Sequence, residues 1–212
     1  MSLLCAPLSA FLTNKTGHKR LFKLGIYHCD VSDGNLMFIR KNGHALGRLI
    51  DFDLAIISDT LSGNHCRTGT RPFMAIELLN SKTPIKRHYK HDAESFFWVV
   101  VYDTTSSKSV NGWGRLTNTM LSATKCNYLL MGTEALPMRE KHPPILSWVE
   151  GVRGFLIREI LNRQFSPIAT REKDWGIDEL YNTLRGFRHD QGTTLDAYIK
   201  TRQEKCKAPT AS

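Results

Sequence analysis

The chain has no stretch of the roughly eighteen consecutive apolar residues that a membrane helix needs, which excludes a spanning segment of that kind. Cysteine is sparse: Cys5, Cys29, Cys66, Cys126 and Cys206 are odd in number, scattered, and never spaced CxxC. That pattern argues against a disulfide framework and a structural zinc site, and it suits a reducing compartment. Internal repeats and low-complexity segments are absent. So is any basic run interleaved with aromatics, although the formal net charge is +9. Lys and Arg are spread along the chain, with no zinc-finger or RNA-binding signature. This favours a solvated basic surface over a nucleic-acid module, part of which can serve nucleotide phosphates or an acidic substrate. The opening MSLLCAPLSAFL is apolar but has no basic flank before it, so the packed face of a first helix is favoured over a signal peptide. The expected location is intracellular, cytoplasmic or nuclear, with neither nucleic acid nor membrane as partner. There the Asn14-Lys15-Thr16 glycosylation pattern has no meaning.

What is present reads as one mainly helical domain with a small hairpin near its start. Residues 13–26 suggest a helix closed by Gly25. Leu36-Met37-Phe38-Ile39 and Arg48-Leu49-Ile50-Asp51-Phe52 read as two strands joined by Asn42-Gly43, a strong reversal signal. Antiparallel pairing would bring Asn35 and Asp51 to the same open end. A polar connection over 54–72 leads to a short helix over 73–79, and the basic stretch Lys86–Lys90 reads as loop. The run Phe96–Tyr102 is apolar on every side and therefore buried. Its aromatic and β-branched content favours a strand, whereas Asp92 and Glu94, as N-cap and first-turn acid, favour a helix. Further helices are expected over 115–124, over about 145–160 from the spacing of Ile145, Val149, Val152, Leu156 and Ile160, and over 177–186 and 194–205. The tail 206–212 reads as loose.

Four motifs carry chemistry. His28-Cys29-Asp30 is followed by Asn35 five residues after the Asp, and Asp51-Phe52-Asp53 stands sixteen residues beyond Asn35, with the hairpin between. An Asp, an Asn and an Asp that can converge suit phosphoryl transfer. A carboxylate must accept the proton of the attacking hydroxyl, and oxygen ligands must hold magnesium against nucleotide phosphates. Gly69-Thr70-Arg71-Pro72-Phe73-Met74-Ala75-Ile76-Glu77 has the form of the segment that ends a kinase activation loop, with Ala-Ile-Glu for the usual Ala-Pro-Glu. Asp92-Ala93-Glu94-Ser95 opens the buried apolar run as the central helix of a kinase C-terminal lobe does, which resolves that run toward helix.

The chain resembles the fungal-type protein kinase family, through GHKRLFKLGIYHCDVSDGNLMF, GRLIDFDLA, RTGTRPFMAIELL and HDAESFFWVVVY within residues 17–102. Residues 103–205 fit by helical character alone. The resemblance implies a protein kinase-like C-lobe over 1–205 that uses ATP and Mg2+ to transfer a phosphoryl group to a protein Ser/Thr hydroxyl. It implies that Asp30 is the catalytic base and that Asn35 and Asp51 bind the metal and nucleotide. Thr70 would hydrogen-bond near Asp30 and shape the docking of the substrate hydroxyl. Glu77 would be structural, paired with an Arg. Asp92 would anchor the catalytic-loop backbone, and His28 would pack within that loop.

The pattern is altered in three places. Cys29 stands where kinases usually carry an Arg that reads an activation-loop phosphate, which a thiol cannot do, so phosphate switching at Ser58, Thr60 or Ser62 is not expected. Cys29 itself reads as a small buried side chain. Ser32 stands where a Lys is usual, and removing one such donor costs on the order of 10²–10³ in rate unless it is compensated. No Gly-rich loop and no ATP-positioning Lys precede Asp30 within these residues. The expectation is a C-lobe whose N-lobe is absent, to be supplied upstream of Met1 or by another chain, and whose facing surface is exposed, partly apolar and open to a protein partner. Two other functions stay open: a non-catalytic, pseudokinase-like interaction module, and a small-molecule phosphotransferase.

Overall fold

A computed structural model describes residues 17–41, 44–57, 68–81, 85–105, 110–135, 143–165 and 179. The expected hairpin reversal at Asn42-Gly43, the expected helices over 177–186 and 194–205, and Ser58, Thr60 and Ser62 lie outside them, apart from residue 179.

The described chain is mainly helical. Helix α1 covers residues 17–23, within the expected span, and the chain leaves it through Gly25 in the left-handed region at φ 71°. Strands β1 (Ile26–Tyr27) and β4 (Ile56–Ile57) pair antiparallel, Ile26 with Ile57 and Tyr27 with Ile56. Neither strand was expected from the sequence. Their pairing lays the start of the HCD loop beside the segment that follows DFD. Strands β2 (Leu36–Lys41) and β3 (His44–Leu49) form a hairpin, with Leu36 opposite Leu49 at its open end; the returning strand lies earlier than expected, and Ile50, Asp51 and Phe52 follow it.

A 3-10 turn at Arg71–Phe73 leads into α2 (Ile76–Asn80). Helix α3 (Tyr89–Thr104) is the pillar: all of its residues except Tyr102 and Asp103 are buried. A helix wrapped on every side needs no amphipathic stripe, which is why its periodicity could not identify it. It begins three residues before Asp92. His88 is its N-cap, so the expected N-cap role of Asp92 is corrected, and the helix takes in Tyr89 and Lys90 from what read as loop. A second 3-10 turn, Trp113–Arg115, precedes α4 (Asn118–Met131), which starts three residues after the expected boundary and runs seven beyond it. The Thr117 side chain sets that start by accepting the Met120 N–H at 3.3 Å, and Gly132 at φ 65° ends it. Helix α5 (Pro143–Phe165) opens on two prolines, which suit a first turn whose N–H groups have no partner in the helix, and it buries Trp148, Val149, Val152 and Leu156.

The core forms where α3 meets the 71–73 turn, α4 and α5. Trp98, Trp113, Tyr128, Phe97 and Trp148 fill it with edge-on and tilted ring pairs, Trp98 lying 6.0 Å from Trp113 and 6.1 Å from Tyr128. The hairpin and the DFD segment stand apart: Met37, Ile39, Ile50, Phe52, Leu54 and Ile57 are all exposed. No helix among the described residues is long and apolar enough to cross a membrane.

Candidate functional site

The turn from β1 into the polar loop is shaped by Asp92, which is wholly buried. One carboxylate oxygen accepts the His28 N–H at 2.8 Å, the other accepts the Cys29 N–H at 3.2 Å, and His18 Nε2 stands 3.5 Å away. Burial alone would raise the Asp92 carboxyl. The His18 hydrogen bond, the Arg87 guanidinium and the backbone N–H groups outweigh it and hold the group well below the usual carboxylate range. These contacts stabilise an unfavourable backbone. Cys29 adopts φ 67°, a left-handed conformation that costs a non-glycine residue on the order of 1–2 kcal/mol.

His28 packs inside the loop, edge-on to Phe52 at 4.8 Å. Its Nδ1 accepts the Asp30 N–H at 3.3 Å, which leaves the proton on Nε2 to donate to the Ile50 carbonyl at 3.0 Å. Burial lowers its pKa and favours this neutral ring. Cys29 is buried, and burial pushes its thiol up to about 12, as an inert side chain requires. Ser32 is buried in the loop as well.

Asp30 meets two of the predicted residues. Its Oδ1 accepts the Thr70 N–H at 2.6 Å and the Thr70 hydroxyl at 2.7 Å. Its Oδ2 accepts the Asn35 amide at 3.1 Å, and its own carbonyl accepts the same NH2 at 2.9 Å. Two oxygen partners require the NH2 of Asn35 on that side, so Asn35 Oδ1 is left as an acceptor with no donor among the described residues. Asn35 also accepts the Ile50 N–H on its backbone at 3.0 Å, extending the β2–β3 pairing to the residue before Asp51. Asp51 follows in the left-handed region at φ 63°, exposed, its Oδ1 accepting the Asp53 N–H at 3.4 Å. The hairpin thus carries Asn35 and Asp51 to one end, as expected. An amide oxygen and a carboxylate are hard donors of the kind magnesium prefers, and they leave room for phosphate oxygens to complete the coordination. Among the described residues, no three His, Cys, Asp or Glu side chains cluster as a self-sufficient metal site.

The segment carrying Thr70 is held from behind by residues that the sequence reading left unassigned. Arg87 donates to the Cys29 carbonyl at 2.6 Å and to the Thr68 carbonyl at 3.3 Å. Gly69 at φ 123° lies so close that a Cβ there would come within 2.7 Å of the Cys29 oxygen. Glu94 of α3 accepts the Ile76 N–H at 2.9 Å, capping α2 from another helix, and the Trp98 indole at 2.9 Å. Lys125 of α4, fully buried, donates to the Met74 carbonyl at 2.5 Å, with its ammonium 4.5 Å from the Trp98 ring. Burial depresses Lys125 to about 7 against the opposing pull of Glu94.

Glu77 was expected to pair with an Arg. Its described partners are Lys90 Nζ at 3.0 Å and His91 Nε2 at 3.1 Å. Burial pushes His91 down to about 4, so it is neutral at pH 7. Glu77 itself is held well below the usual range, because the His91 hydrogen bond and Lys90 outweigh its partial burial. The basic stretch Lys86–Lys90, read as loop, was the signal that could have pointed to Arg87 and Lys90.

Residues 3–103 match the fungal protein kinase family. Over this region the chain is similar to that family. The match contains every element described above from the HCD loop to α3, and it stops before α4 and α5. No curated protein gives a significant match to the chain. That likeness gives the constellation its context at the family level: kinase-like function, with ATP and Mg2+ as the family's general reactants.

Proposed function

We propose that the chain is the C-terminal lobe of a protein kinase, spanning residues 1–205, and that it carries the residues that direct a phosphoryl group from ATP to a protein hydroxyl. One observation carries this reading: the Asp30 carboxylate is aimed by Thr70 on one oxygen and by Asn35 on the other. Asp30 takes the proton from the attacking hydroxyl, and the two hydrogen bonds fix which lone pairs face it. Thr70 orients Asp30 and borders the place where the substrate hydroxyl docks, next to the segment that Lys125 and Glu94 hold. Asn35 Oδ1 and Asp51 are the residues that would hold Mg2+. That ion, bound with ATP, supplies neutralisation of charge on the transferred phosphoryl. Asp92, Glu77 and His28 keep the loop and its neighbours in place.

The hairpin and the DFD segment that carry Asn35 and Asp51 also carry the exposed apolar side chains Met37, Ile39, Ile50 and Phe52. They support a covering protein surface there, whether a nucleotide-clamping lobe from upstream sequence or another chain, in an intracellular setting. The same surface favours a second reading, a non-catalytic interaction module.

Radiolabelled phosphate transfer, abolished in Asp30→Ala, tests the first reading. Failure to bind nucleotide in the presence of Mg2+ at ATP concentrations on the order of millimolar, the upper range of ordinary substrate affinities, would sink it for these residues. A partner that binds wild type, Asp30→Ala and Asp51→Ala equally would establish the module.

A further inference from the structure

Arg87 is an almost completely buried cation, 4% exposed, that the transfer chemistry does not use. It lies in the short connection before α3 and reaches two distant pieces of backbone at once. One Nη donates to the Cys29 carbonyl at 2.6 Å and stands 3.4 Å from Asp92. The other donates to the Thr68 carbonyl at 3.3 Å, while the Arg87 Nε has no partner among the described residues. Cys29 precedes Asp30, and Thr68 stands two residues before Thr70. The guanidinium therefore bridges the two strands of chain whose next residues form the Asp30–Thr70 hydrogen bonds.

Gly69 lies between them, against the same Cys29 oxygen, with no room for a side chain. Asp92 holds the N–H side of Cys29 while Arg87 holds its carbonyl, so the peptide units on both sides of this left-handed residue are held. A planar fork is the side chain suited to two carbonyls in different directions; an ammonium is a point donor on a flexible stem. The partners of the Arg87 Nη groups are two backbone oxygens and the wholly buried Asp92.

We propose that Arg87 is a positioning residue, a built-in guanidinium staple that sets the Asp30–Thr70 pair without a phosphate on the preceding loop. This rests on the reading of Asp30 and Thr70 as the transfer pair. Its role follows from the chain's own chemistry: Cys29 cannot read a phosphate, and Arg87 supplies from behind the bridge between catalytic loop and docking segment.

The test is amide hydrogen exchange on the full chain, made in bacteria and treated with phosphatase, for wild type, Arg87→Lys and Arg87→Met. Arg87→Lys keeps the charge beside Asp92 and loses the fork. The expected result is faster exchange of the Thr70 amide by about tenfold or more in both variants, with α3 amides unchanged, because one local opening is made easier. Wild type is expected to keep its Thr70 protection after phosphatase. Unchanged Thr70 protection in folded Arg87→Lys overturns the proposal, and so does a uniform loss across α3. Failure of both variants to fold marks Arg87 as a stability residue and overturns it as well. Loss of Thr70 protection in phosphatase-treated wild type overturns the phosphate-independent part. Because no nucleotide is needed, selective loss of Thr70 protection in a chain that transfers no phosphate would defeat the transfer reading and leave the staple standing.

Discussion

Helix α3 and the open end of the β2–β3 hairpin are both rich in apolar residues and both carry an aspartate, yet they have opposite surroundings. Asp92 on α3 is wholly buried and holds two backbone N–H groups, with Arg87 and His18 beside it. Asp51 at the hairpin end is exposed, and its described contact is a weak local one, the Asp53 N–H at 3.4 Å. The apolar side chains follow suit: Phe96, Phe97 and Trp98 are sealed, whereas Met37, Ile39 and Phe52 face out. One aspartate is spent on architecture and the other is left with oxygens to offer. A carboxylate can build a loop or bind a cation, and its burial and its donors show which.

That comparison breaks most visibly at Asp92. Asp92→Asn removes the charge that Arg87, His18 and two amides surround, and breaking such a buried network costs about 3–5 kcal/mol. Urea unfolding that showed a loss below about 1 kcal/mol would mean Asp92 is not the anchor. Its depressed native pKa adds a sign. The stabilisation is present above the unfolded value of ~3.9 and is lost as pH falls toward the lower native value, so Asp92→Asn should flatten the acid limb of stability against pH.

Gly69→Ala comes next. It forces a strained φ and a Cβ against the Cys29 oxygen, at a cost of about 1–3 kcal/mol. Exchange of the Thr70 amide should rise with it, and a variant as stable as wild type with Thr70 still protected would show that the segment shifts freely.

Lys125 gives a smaller effect, readable through pH. Its native pKa is depressed to about 7 by burial, so above that pH the unfolded chain holds the extra proton, and stability contributed by this group rises with pH. The clean window runs from about 7 to 8.5. Beyond it an unfolded thiol begins to ionise while native Cys29, pushed up to about 12, does not, and stability falls. Lys125→Met should remove the rise between pH 7 and 8.5 in thermal melts.

The smallest effects belong to the hairpin. Met37→Thr, Ile39→Thr and Asp51→Ala should each change stability by no more than ~0.5 kcal/mol, as surface substitutions do. Asp51→Ala should still lose Mg2+-dependent nucleotide binding. A large loss of stability in Met37→Thr would mean that this face is core and that its contrast with α3 is wrong.

Much of the site was legible because its parts are local. The spacing from Asp30 to Asn35, the hairpin that returns the chain to Asp51, and the Gly69–Thr70 turn each lie within a few residues of their own signals. The supports were not legible. Arg87 reaches Cys29 across 58 residues, and Lys125 reaches Met74 across 51, and no local pattern encodes such a meeting. Glu77 shows the middle case: pairing with an Arg was expected, and its described partners are Lys90 and His91. The start of α3 was misplaced for the same reason, since Asp92 looks like a cap by composition and is drawn away by amides 63 and 64 residues distant.

By itself, the sequence determined the likeness to a kinase family, the mainly helical character, the hairpin, and which side chains can take up a proton or offer oxygens to a cation, because short-range geometry and residue chemistry suffice for those. Only the tertiary structure decided which aspartate became scaffold and which stayed open, which cations went inside, and that Cys29 turns left-handed with donors on both sides. Those outcomes depend on burial and on hydrogen bonds between remote segments, and the free energy of a buried charge is set by whatever the fold happens to place around it.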